Sequence, residues 1–126
     1  MLNKVMIIGN LGKDPEMRFT PSGDPVTNFS VATTSKSKGI EYTEWFNVVV
    51  WGKKAEACNQ YLSKGSKVYV DGRQQTKSWE GQDGQKRYKT ELNAFTVEFL
   101  STKQGENTDT GGGGALNDWE PEDDIY

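Results

Sequence analysis

Three tryptophans define the chemistry open to this chain. Trp45, Trp51 and Trp79 each fall in a run rich in β-branched or aromatic residues, with Lys or Arg inside or beside it. Indole faces stack on flat groups, and cations pair with phosphates or carboxylates. Covalent and metal chemistry has far less to work with. The 126 residues include no histidine and one cysteine, Cys58, which excludes His-dependent triads, Cys/His zinc sites and an internal disulfide. Asp14 and Glu16 flank Pro15 in a loop-like stretch, an isolated acidic pair too small for metal chemistry. Gly9, Gly12 and Gly72 do not form a strand-to-helix phosphate loop and read as sites of turns, bulges or close strand approach. No catalytic constellation and no cofactor motif emerges, so the expected activity is non-covalent binding.

The elements that must hold those rings read mostly as strands. Five runs, at residues 4–9, 26–34, 42–51, 67–79 and 87–100, are rich in β-branched and aromatic residues. Pro21-Ser22-Gly23-Asp24 and Gly81-Gln82-Asp83-Gly84 supply turn chemistry between them. Between the third and fourth runs, Ala55, Cys58, Tyr61 and Leu62 recur at helical spacing. This predicts a helix over 53–64, capped by Gly65, with those four side chains in the core. The fold expected is mainly β, a five-stranded Greek-key barrel of the OB type with one short helix between strands three and four. A plain β-sandwich is the alternative.

Strand parity then sorts the side chains. In the third run Trp45, Asn47, Val49 and Trp51 share one face, while Phe46, Val48 and Val50 share the other, the expected core. In the fourth, Arg73, Gln75, Lys77 and Trp79 lie opposite Val68, Val70 and Gly72. Cations interleaved with aromatic rings suit single-stranded nucleic acid, whose bases expose π faces and whose backbone exposes phosphates. Arg18, Lys53, Lys77, Lys86 and Arg87 can supply the phosphate contacts, and the rings can stack on bases without reading sequence.

Charge divides along the chain. Residues 1–103 hold all 15 basic side chains and 11 acidic ones, net +4, whereas residues 104–126 hold seven acids and no base, net −7. The division predicts three parts: a folded body at 1–103, a flexible Gly-rich linker at 104–117, and an acidic tip at 118–126. The tip mixes Asp118, Glu120, Glu122, Asp123 and Asp124 with Trp119, Ile125 and Tyr126. It reads as a short partner-binding motif, with an ordinary frayed terminus as the alternative. No apolar run approaches the roughly 20 residues that cross a bilayer, and the expected location is the cytoplasm.

The order of residues also resembles a known family. The chain opens Asn3-Lys4-Val5-Met6-Ile7-Ile8-Gly9-Asn10-Leu11-Gly12-Lys13-Asp14-Pro15-Glu16-Met17-Arg18-Phe19 and continues through Thr43-Glu44-Trp45, Gly52-Lys53, Ala55-Glu56, Tyr61-Leu62, Lys64-Gly65-Ser66, Val68-Tyr69-Val70 and Gly72. Trp79 and the stretch from Gly84 to Tyr88 extend the match. In this order the residues are similar to bacterial-type single-stranded DNA-binding proteins of cellular, plasmid or phage origin. The resemblance implies an OB fold, a homotetramer and sequence-tolerant coating of single-stranded DNA. It also implies a disordered acidic tail that recruits replication, recombination and repair proteins. It implies base stacking by Trp45, Trp51 and Trp79 and backbone contacts from Arg18, Lys53, Lys64 and Lys77, to which the reading of the residues adds Tyr88 as a stacking ring and Asn47, Arg73, Lys86 and Arg87 as backbone or polar contacts. Phe46 falls on a subunit-contact position. Three departures are visible: 35–41 is short and lacks tryptophan, the tail ends Ile125-Tyr126 instead of Ile-Pro-Phe, and the linker is short. The competing role is an OB adaptor that works mainly as a protein-protein platform.

Overall fold

Pleated, half-buried surfaces favour the β-branched and aromatic residues that fill these runs, and each run becomes a strand. The computed structural model describes residues 1–101; the linker at 104–117 and the tip at 118–126 lie outside the described residues. In chain order the elements are β1 (Val5–Leu11), β2 (Glu16–Phe19), β3 (Pro25–Ser37), β4 (Ile40–Trp51), α1 (Lys53–Tyr61), β5 (Lys67–Glu80) and β6 (Lys86–Phe99). The sheet runs β1-β5-β6-β4-β3-β2, and an additional β1–β3 pairing closes five of the strands into a barrel with β2 on its edge. This is the expected OB-type architecture. All pairings are antiparallel except β4–β6, which is parallel and has two paired positions, Val48↔Leu92 and Val49↔Asn93.

The core is the inward parity of those strands. Ile7, Phe29, Val31, Val48, Val50, Val68, Val70 and Leu92 meet inside the barrel, and Ala55, Cys58 and Leu62 close one end. The Thr27 hydroxyl, fully buried, donates to the Ala55 carbonyl at 2.7 Å and ties α1 to β3. Closure requires close backbone approach at Gly9, where a Cβ would stand 2.2 Å from the Ala32 carbonyl oxygen.

Five sequence expectations are corrected. The helix ends at Tyr61 because Leu62 turns extended (φ −100°, ψ 152°), which sends its side chain into the core. Gly65 therefore sits in the turn that follows and does not cap the helix; its N–H donates to the Leu11 carbonyl at 2.9 Å. Tyr61 is exposed, its ring 6.2 Å from that of Phe99. Residues 16–19 form β2; such a short, polar edge strand has too little apolar alternation to register. The β3–β4 hairpin also continues to Ser37↔Ile40 through Lys38 and Gly39, both at positive φ as a tight two-residue hairpin turn demands.

Both hairpins project beyond the barrel, and the last eight residues of β5 are exposed. Among the described residues, no helix is long and apolar enough to cross a membrane.

Candidate nucleic-acid interface

Register places the outward residues of five strands on one surface. Arg18 of β2 pairs with Val26 of β3, which pairs with Trp51 of β4. Alongside run Asn28↔Val49, Ser30↔Asn47 and Ala32↔Trp45. Val49 meets Asn93 of β6 across the parallel seam, and the face continues onto the β5–β6 hairpin as Arg73↔Asn93, Gln75↔Glu91, Lys77↔Lys89 and Trp79↔Arg87. Trp45, Trp51 and Trp79 retain 57%, 48% and 47% of their exposure, which leaves ring area open to a ligand. Val26 and Val49 have the same parity yet are buried, and Val49 floors a hollow of about 220 Å³ whose walls include Lys13, Asn28, Asn47, Lys89 and Glu91.

Each indole has its own support. The Trp45 ring lies against Gly12, where a Cβ would come within 2.5 Å of its Cζ3 atom. The Trp51 Nε1–H donates to Asn93 Oδ1 at 3.4 Å, and the Asn93 amide in turn donates to Gln75 Oε1. A chain of amides thus fixes the indole edge and leaves the ring face open. Trp79 stands near the hairpin tip, two residues before Gly81, whose N–H donates to the Gln85 carbonyl at 2.8 Å.

The cations differ in how free they are. Lys77 Nζ is 3.3 Å from Glu91 Oε1 and Lys89 Nζ is 4.0 Å from Oε2, while Glu91 is 6% exposed. Arg87 is paired to Asp83 at 3.1 Å near the tip. Lys53 opens α1 two residues after Trp51, and Lys86 faces Glu80 across the hairpin. Asn47 donates to the Thr90 carbonyl at 3.5 Å. Lys64 stands apart from these rows in the turn after α1, where its backbone N–H donates to Asp14 Oδ1 at 2.8 Å. Asp14 thus has a structural task.

Two further side chains fall elsewhere. Tyr88 pairs with Ser78, so it has the opposite parity to Trp79 and Arg87. It lines a groove of about 520 Å³ between β4 and β6, with Val5, Trp45, Phe46 and Gln74, which shares Asn47, Lys89 and Glu91 with the hollow over Val49. Phe46 is paired with Val31 and packs, half-buried, against the core. Sequence reasoning missed Glu91, Asn93, Lys54 and Phe95. Glu91 and Asn93 share the parity of Arg87 in the fifth run, a signal that was available; the placement of Lys54 and Phe95 depends on tertiary structure.

The Single-strand binding protein family matches residues 2–100 of this chain. The chain belongs to that family. Single-stranded DNA-binding protein 1 of Chlorobaculum tepidum is 48% identical over 118 residues, covering 89% of this chain and 70% of that protein. The single-stranded DNA-binding protein of Oceanobacillus iheyensis is 44% identical over 117 residues, covering 89% of this chain and 73% of that protein. The single-strand binding family is a family of binding proteins and not of enzymes, in keeping with a surface of rings and cations. The family match ends at residue 100, one residue beyond the end of β6.

Proposed function

We propose that this protein binds single-stranded DNA along the face running from Arg18 through Trp51 to Trp79, stacking bases on indoles and pairing phosphates with cations. The single observation that carries this reading is the continuity of three exposed tryptophans with Arg18, Arg73 and Lys77 on one registered surface. Stacking and phosphate contacts tolerate any sequence. The protein coats and protects exposed strands during replication, recombination and repair, and the acidic tip at 118–126 recruits partner proteins. It assembles as a homotetramer, with Phe46 at a subunit contact. An apolar face supports assembly: Met6 and Ile8 on β1 are 62% and 57% exposed beside Tyr69 of β5.

Titration of tryptophan fluorescence with oligo(dT), and in parallel with duplex DNA at several salt concentrations, tests the binding reading. Deep, stoichiometric quenching by the single strand alone is expected; its absence would return the indoles to subunit contacts and favour the platform role. Removing residues 104–126 separates the roles further. A coating protein keeps or gains affinity for DNA without its seven-acid tail, whereas a platform loses its main activity. Light scattering should give four subunits for the parent chain and fewer for Met6→Lys/Ile8→Lys.

A further inference from the structure

We infer that Phe95 is an additional base-stacking platform, one that carries the strand past Trp51 toward the start of α1. This rests on the reading of the tryptophan face as the DNA surface. Phe95 lies in β6 where the register slips: Gly72 pairs with Ala94 and Asp71 with Thr96, leaving Phe95 without an opposite residue. A β-bulge re-aims a side chain, and bulges gather at functional rims. Here Ala94 and Val97 both pack against the core, and the Phe95 ring is 58% exposed. Gly72 permits the slip, because a Cβ there would stand 1.9 Å from the Asn93 carbonyl oxygen.

Two contacts connect the bulge to the proposed site. Asn93, two residues earlier, accepts the Trp51 indole N–H. The Lys54 ammonium donates to the Phe95 carbonyl, which anchors the bulge and sets a cation at the backbone that carries the ring. An open ring with a lysine held at its own backbone repeats the pairing of stacking surface and phosphate partner seen along the tryptophan face. The occupant is therefore a nucleobase of the same single strand.

The test uses full-length protein, Phe95→Ala and Phe95→Trp, with oligo(dT) of graded length at several salt concentrations. Phe95→Ala should bind longer oligonucleotides about 5- to 100-fold more weakly, with an unchanged salt slope, and the shortest ones that still bind as the parent does. Phe95→Trp should restore affinity and deepen quenching. Parent-like binding of Phe95→Ala at every length, with tryptophan quenching intact, would overturn the assignment and leave the tryptophan face standing. A fall in subunit number for Phe95→Ala by light scattering would overturn it in favour of a subunit contact. Loss of quenching in the parent itself would remove both readings.

Discussion

At the scale of single residues, what separates the tryptophans from ordinary core aromatics is the kind of support each receives. Trp51 is held at its edge by Asn93, so its ring face needs little ordering when a base arrives. Replacing Trp51 or Trp79 with Ala should weaken oligo(dT) binding by about 1–3 kcal/mol each and leave the salt slope nearly unchanged. Lys53→Ala should instead flatten that slope, and equilibrium titrations from low to high salt distinguish the two patterns. Glu91 makes the opposite contribution. Its buried carboxylate engages Lys77 and Lys89 in the middle of a face that must attract phosphates. Glu91→Gln should free both lysines, raising affinity at low salt and steepening the slope by about 0.7 for each lysine that finds a phosphate. Parity alone put Trp45, Trp51 and Trp79 on outward faces; it could not reveal that Lys77 is already paired, because that contact joins residues on two strands.

At the scale of elements, alternation made the barrel strands legible and failed where local rules yield to tertiary demands. The run at 42–51 announced an inward Val48 and Val50, both now fully or almost fully buried. The helical periodicity persisted through Leu62, yet the core needed that leucine on extended backbone, so the helix stopped early. Nothing local marks the slip at Asp71 and Gly72 except the glycine itself. Two glycine substitutions separate close approach from turn strain. Gly72→Ala should lower stability by at least about 2 kcal/mol, since the added methyl meets backbone. Gly84→Ala, with open space around it but φ +81°, should cost about 1–2 kcal/mol. Urea midpoints of the two variants measure the difference.

At the scale of the whole molecule, two ionisable groups make stability fall at alkaline pH. Burial pushes the Cys58 thiol up to about 11 from 9.0, so the unfolded chain releases that proton first. Stability contributed by the protonated thiol is intact below pH 9 and is lost as pH rises toward 11, with a slope of at most about 1.4 kcal/mol per pH unit. Tyr69 acts in the same sense: its hydrogen bond to Asp71 raises it above 10.0. Thermal melts from pH 8 to 11 should therefore fall steadily for the parent and less steeply for Cys58→Ala, with the Tyr69 contribution remaining. The division of charge between residues 1–103 and 104–126 was plain in the sequence, whereas the closure of the barrel depends on a seam that no local pattern announces.

The short junctions that close the barrel have a dynamic consequence. A closed sheet opens where the fewest hydrogen bonds resist, and the antiparallel β1–β3 and parallel β4–β6 junctions have only two paired positions each. Native-state amide exchange should find the lowest opening energies among the barrel strands at these two, and the proposed DNA face crosses the β4–β6 one. Trp51 stands on one lip and its partner Asn93 on the other, so a polynucleotide laid across both would act as a stitch. Bound DNA should then slow exchange at Val48, Val49 and Leu92 more than at the β1–β5 ladder, and the barrel would be most tightly shut when it is loaded.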